Sequence, residues 1–418
     1  MVAKGKRGSP STTWKWKPGD PRWTVMVFMG ADNLSDEADL SNEARKDIEE
    51  MRRVRTCPWL NIFVQLHGKG FVQRQHIGKG KPFDVHEAEA DATNGQALTS
   101  FMDWALKTAE HRRRDHSILV LWGHAYRFGI GHRPTNNGRS DALDFAELAS
   151  VLRGFQEKHL EQHRKEYRAG EMPMLDIVGF DACDLATIEM TFQLHEFANY
   201  LLASQIAIPL PGWPYDSILD RLYSPAGLLM KPPEFGSYVV RRYCSAYEAE
   251  NRTVSLTLLD LKRAPELSDL AENLARKLAI AGSLDLDEEA LIHDLFVRAR
   301  TAENKPFVDV ASLCHSLMQH SGSSEVREAA EKLGDLLISP AFNPLAPAPP
   351  KGATLGRPFV VEHGRNAAGT AALHGVSLYA PHVAEGHDFA SASHFYEKFV
   401  FARQTLWNDL VRTLAMPN

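Results

Sequence analysis

Two residues stand where their types and surroundings allow covalent chemistry. His124 leaves the apolar run Ile118–Trp122 through Gly123, and Cys183 follows the apolar run Ile177–Phe180 by way of Asp181 and Ala182. A thiol attacks carbonyl carbon only as its thiolate, and a neutral imidazole near pH 7 can take the thiol proton and later return it to a leaving amine. Short apolar runs read as buried strands, and groups delivered at the carboxyl ends of parallel strands stand where open α/β sheets bind their ligands. An amphipathic pattern follows Ala182, so the sequence predicts Cys183 at the first N–H groups of a helix, where the dipole favours a thiolate. Gly123 and Ala125 flank the histidine with minimal side chains and leave room for backbone N–H groups beside a reacting carbonyl. Together these features predict a nucleophile and base pair for acyl transfer.

The other reactive side chains read as structural. Cys57, Cys244 and Cys314 have no paired spacing, which excludes a disulfide framework and a C-x-x-C site, and they read as small buried hydrophobes. His159 and His163 lie one turn apart, but Glu161 is not where a zinc helix needs its glutamate, so no metal site is expected. Gly68-Lys69-Gly70 and Gly78-Lys79-Gly80 lack the spacing of a phosphate loop, and Asn136-Asn137-Gly138 is a turn signal. The basic run His111–Arg114 follows the helical pattern Leu98–Glu110 and reads as a solvated helix end.

Positioning these groups falls to an alternation of strands and helices. Apolar runs at Trp23–Met29, Leu60–Leu66, Ile118–Trp122, Asp176–Phe180, Tyr200–Ser204 and Val254–Leu259 predict six strands, with Phe71–Ile77 as a short extended piece. Helical patterns fall between them, at Ser35–Val54 and Gln96–Glu110. Near-continuous apolar strands argue for a parallel sheet covered on both faces. Beyond Lys262 the pattern turns helical, at Glu266–Ala281, Glu288–Arg300, Val310–His320 and Glu325–Leu337. A proline-rich linker at 343–352 follows, then strand-like Pro358–Glu362 and Gly375–Tyr379 and a helix around Phe401–Leu414. The expected organisation is a flexible tail at 1–20, a core at 21–265, and a helical and β region at 266–418 packed on the core.

At 418 residues and 44% hydrophobic, the chain can bury a large core. Its net charge of -6 argues against a nucleic-acid partner. The polar, basic start lacks the apolar stretch of a secretory signal, and no apolar run is long enough to span a bilayer. The expectation is a cytoplasmic protein without a membrane partner.

The segments WTVMVFMGADN at 23–33, ILVLWGHAYRFG at 118–129 and IVGFDACDLATIE at 177–189 resemble a clostripain-type (family C11) cysteine peptidase of the caspase-like clan CD. Further matches are LLASQIAIPLPGWPYDSIL at 201–219, VSLTLLDLKR at 254–263, PFVDVASL at 306–313 and GVSLYAP at 375–381. The resemblance implies a caspase-like α/β/α sandwich with a mostly parallel central sheet and a C-terminal helical and β extension. It implies Cys183 as nucleophile, His124 as base, an oxyanion hole from the backbone amides of Ala125 and Cys183, and Asp181 in an S1 pocket that selects Arg or Lys. Three positions depart from the family pattern: Ala125 where Gly is usual, Asp184 where an apolar residue is usual, and Gln205 where many relatives carry an acid.

The expected function is an endopeptidase that cuts proteins or peptides after Arg or Lys through a thioester, without metal or other cofactor; a calcium requirement is not legible in the residues. The charged stretch Arg153–Pro173 lies between the two reactive strands and offers Lys158, Arg164, Lys165 and Arg168 as activation sites, cut by the enzyme itself or by an upstream protease. The alternative is a regulated prokaryotic caspase-like effector that cleaves operon-encoded partners in a signalling or CRISPR-type defence cascade. An inactive scaffold is the third reading.

Overall fold

The apolar runs become a single large sheet in the computed structural model, which describes residues 17–32, 39–85, 92–126, 129–134, 140–162, 175–250, 252–301, 306–337, 359–365, 373–381 and 396–415. The strands are β1 (Trp23–Gly30), β2 (Leu60–Gly68), β3 (Phe71–His76), β4 (Phe83–Asp84), β5 (His116–Gly123), β6 (Ala125–Tyr126), β7 (Gly129–Pro134), β8 (Ser140–Asp144), β9 (Leu175–Asp181), β10 (Ala198–Ala203), β11 (Ser255–Asp260), β12 (Phe307–Asp309), β13 (Val360–Arg365) and β14 (Ser377–Tyr379). Nine of them pair in the order β13-β11-β10-β9-β5-β1-β2-β3-β4. The inner strands β10, β9, β5, β1 and β2 run parallel. β11, expected in the parallel set, instead runs antiparallel to β10. An apolar run reports burial on both faces but not strand direction.

Alternate residues of each strand enter opposite cores. Met26, Phe28, Leu119, Leu121, Val178 and Phe180 pack in one cluster with α2 (Gly95–Ala109), α3 (Phe145–Gln162) and α4 (Ile188–Leu194). Val25, Val27, Ile118, Val120, Trp122 and Ile177 pack in the other with α1 (Ser41–Arg53), α5 (Tyr215–Tyr223) and α7 (Pro232–Tyr247), the short α6 (Pro225–Leu228) lying between the last two. Because both faces are covered, the strands carry no polar alternation.

The later helices are α8 (Ala264–Leu284), α9 (Leu286–Arg298), α10 (Val310–His320), α11 (Ser324–Leu337), α12 (Val400–Gln404) and α13 (Trp407–Ala415). They share the first core cluster, with Leu313, Phe401 and Trp407 in the same contiguous apolar set as Leu119. β13 forms the sheet edge beyond β11, and β12 pairs with β14. The proline-rich linker at 343–352 lies outside the described residues. Among the described residues no helix is long and apolar enough to cross a membrane.

The expected cationic helix end has a different structure. Helix α2 stops at Ala109, Glu110 adopts a left-handed conformation, and Arg112 turns back to grip Asp115 at 2.7 Å and the carbonyls of Pro18 and Asp20. The Gly68-Lys69-Gly70 segment makes the tight link between antiparallel β2 and β3, with Gly70 at φ 76°.

Candidate active site

Strand register brings the two reactive side chains to one edge. Trp122 of β5 pairs with Asp181 of the neighbouring parallel strand β9, and His124 and Cys183 each follow two residues later. Both therefore leave the carboxyl edge of adjacent strands. β1 connects to β2 on one side while β5 lies on its other side, so the topological switch point of the sheet falls between β1 and β5, beside the strand that delivers His124. Gly123 turns the chain there at φ 143°, and a Cβ would stand 2.7 Å from the Gly30 carbonyl oxygen, so no other residue fits without displacing β1.

His124 is half-buried, and its carbonyl accepts a bond from the Gly131 N–H at 3.0 Å. In an antiparallel ladder that bond makes Ala125 and Ile130 a non-hydrogen-bonded pair, so the Ala125 N–H points away from β7.

Cys183 does not stand at a helix N-terminus. Strand β9 ends at Asp181, residues 182–184 form a turn, and α4 begins only at Ile188, where the Thr187 hydroxyl caps it by accepting from the Met190 N–H. The dipole effect fades within a helical turn, so α4 supplies little to the thiol. A backbone donor does so instead: the Ile208 N–H points at Sγ at 3.3 Å, a bond that favours the thiolate over the thiol. The loop bearing Ile208 lies along the cysteine turn, with Ile206 O accepting from Asp184 N and Ser204 O from Ala186 N. Asp184 adopts φ 61°, a left-handed position that Asp tolerates better than apolar residues do, so its unusual type serves the turn.

Asp181 is 4% exposed. Its Oδ2 accepts from the Trp213 N–H at 3.1 Å and the Tyr215 hydroxyl at 3.0 Å, while Oδ1 is buried without a hydrogen-bond partner. Gly212, at φ 61°, lies so close that a Cβ would meet Oδ2 at 2.9 Å. Burial pushes the Asp181 carboxyl up to about 7, against the pull of those two donors. Asp47 of α1 is pushed up to about 9, first by burial and then by Asp181, although it accepts from Trp122 Nε1 at 2.8 Å. Burial thus favours the protonated form of both carboxyls, more strongly at Asp47.

Cys57, Cys244 and Cys314 are buried among apolar neighbours, and burial pushes each thiol up. His159 stacks on Phe155 in α3; His163 lies outside the described residues, among which no cluster of metal-binding side chains occurs. Lys158 also lies within α3 and pairs with Asp103. Arg164, Lys165, Arg168 and the Asn136-Asn137-Gly138 turn lie outside the described residues. Sequence patterns missed Ile208, Trp213, Tyr215 and Asp47 as neighbours of the site. The clustered Gly, Pro and aromatic residues of Pro209–Tyr215 were the one local sign of a built loop.

The Clostripain family model matches residues 27–336. Clostripain of Hathewaya histolytica is 22% identical over 381 residues, covering 75% of this chain and 70% of its own. A secreted C11 cysteine protease from Bacteroides thetaiotaomicron, solved with an irreversible peptide inhibitor, superimposes with a TM-score of 0.61 at 16% identity, covering 94% of this chain and 99% of its own. An inactive zymogen C11 protease from Parabacteroides distasonis gives 0.58 at 15% identity, covering 93% and 99%. The family match takes in both β5 and β9 with the residues that follow them, and the solved C11 enzymes share the fold: this chain belongs to the clostripain family of C11 cysteine peptidases.

Proposed function

We propose that this cysteine peptidase cuts polypeptides after Arg, and less readily after Lys, with Cys183 as nucleophile and His124 as base. The observation that carries this reading is the Trp122–Asp181 register, which delivers both residues from adjacent strands to the same edge. The Cys183 sulfur adds to the scissile carbonyl after giving its proton to the His124 imidazole. The amides of Ala125 and Cys183 hold the oxyanion, His124 protonates the leaving amine, and water then hydrolyses the thioester with His124 again as base. Asp181 would receive the substrate guanidinium. A carboxylate can accept two parallel N–H bonds from Arg but meets Lys only as a point charge.

Activation is proposed to be a cut between the two strands, on the carboxyl side of α3, made by the enzyme itself or by another protease. A fluorogenic Arg-peptide assay tests the dyad. Cys183→Ala should abolish turnover and His124→Ala nearly so, while Cys57→Ala, Cys244→Ala and Cys314→Ala leave the chemistry intact. Wild-type turnover by Cys183→Ala would show the nucleophile to be elsewhere.

A further inference from the structure

The loop after β10 is fastened in two directions. Towards the site, residues 204–208 hold the cysteine turn through three backbone contacts: Ile206 O to Asp184 N, Ser204 O to Ala186 N, and Ile208 N to Cys183 Sγ. Away from the site, the Gln205 side chain, 1% exposed, enters the region built by β12, α10 and β14. Its amide nitrogen donates to Asp309 Oδ2 at 2.9 Å and lies 3.0 Å from Ser377 Oγ, while its oxygen accepts from the Gly375 N–H at 2.5 Å. Ser377 closes the circuit by donating its N–H to the Ala186 carbonyl at 2.8 Å. The cysteine turn, the 204–208 loop and the segment 374–377 thus form one hydrogen-bonded ring, with Gln205 at its centre.

The chemistry of that centre requires an amide. Asp309, 0% exposed, accepts from Gln205, from Ser312 N at 2.8 Å, and from His374 N and Nδ1 at 2.7 and 2.9 Å. Burial pushes its carboxyl up, but the His374 side chain, the Gln205 amide and the Ser312 N–H outweigh this and hold it below the ordinary carboxylate range. An ionised glutamate at this position could still accept from Gly375, but it would set a second buried carboxylate against Asp309 with no proton between them. The glutamine therefore serves the ring.

We propose that Gln205 is the positioning residue for the nucleophile, holding the 204–208 loop so that the Ile208 N–H stays on the Cys183 sulfur. This rests on the reading of Cys183 as nucleophile.

Gln205→Met and Gln205→Glu test it with Arg-peptide substrates. Gln205→Met removes both side-chain bonds at any pH and should lose at least about tenfold in kcat at about pH 8, with KM within about twofold and Arg-over-citrulline preference equal to that of the wild type. At about pH 5.5 Gln205→Glu should retain at least about threefold more kcat than Gln205→Met, because its protonated carboxyl can donate to Asp309 and accept from Gly375. A Gln205→Met enzyme with wild-type kcat, a loss confined to KM or to P1 preference, or a Gln205→Glu enzyme no better than Gln205→Met at about pH 5.5 would each overturn the proposal. If Cys183→Ala were itself active, the dyad reading would fall first. If Cys183→Ala is inactive and Gln205→Met is normal, only the role of Gln205 falls.

Discussion

Asp181 combines full burial, two donors on one oxygen and none on the other. A guanidinium reaching Oδ1 would complete its shell, and only the ionised carboxylate offers the paired geometry. Since burial pushes this group up to about 7, the carboxylate form gains as pH rises through that value. The ratio of kcat/KM for Arg over the uncharged isostere citrulline should therefore climb between about pH 6 and about pH 8. Comparing this ratio rather than raw rates removes the titration of the dyad itself. Asp181→Asn should flatten the climb and lower kcat/KM for Arg by at least about tenfold, ~1.4 kcal/mol. Equal cleavage of Arg and citrulline substrates by the wild-type enzyme would remove Asp181 from the specificity site.

Helix α3 narrows the proposed activation cut. The stretch that reads as one charged insertion begins inside this helix, which runs to Gln162 and buries Leu148, Leu152 and Phe155 in the core. A protease cleft takes its substrate as extended backbone, so cutting at Lys158 would require unwinding a packed helix and breaking the Asp103 pair. Arg164, Lys165 and Arg168 follow the helix in sequence, and the cut should fall after one of them. Intact mass and N-terminal sequencing of active enzyme should give two associated fragments with a new start at residue 165, 166 or 169. Lys158→Gln should be processed as the wild type, and replacing the three later residues with Gln should leave one chain. A cut inside α3, or unchanged processing of the triple variant, would rule this out.

At the scale of the molecule, the C-terminal region is built into the catalytic core. β13 covers the β11 edge, Trp407 donates to the Tyr379 carbonyl at 2.9 Å, and Phe359, Leu378, Tyr379, Phe401 and Trp407 are buried in the cluster that holds the inner strands. Burying one large apolar side chain contributes about 1.5–3 kcal/mol. Losing five such groups therefore approaches the whole net stability of a typical domain, about 5–15 kcal/mol. A chain ending at Leu337 should aggregate or melt without a cooperative transition in calorimetry. A soluble 21–337 fragment with a sigmoidal melt and wild-type turnover would contradict this.

Much of this organisation was legible from residues alone. The strands carrying His124 and Cys183 were visible because a strand buried on both faces must be a near-continuous apolar run, and an exit from such a run marks the sheet edge. The lone buried cysteines were legible because an unpaired Cys behaves as a small buried hydrophobe. Other features depended on how the chain crosses itself. A helical pattern after Ala182 did not reveal that the helix waits until Ile188, because Leu185 and Ala186 are buried by tertiary packing rather than by helical period. The direction of β11 was hidden because apolar content is indifferent to strand polarity. Gln205 and Asp309 are 104 positions apart, Ile208 and Cys183 are 25 apart, and no local spacing announces either meeting. Local sequence determined which residues could react and which segments had to be buried. The tertiary structure alone decided which buried polar groups would face them, because a hydrogen-bond partner is set by chain topology and not by the neighbours along the chain.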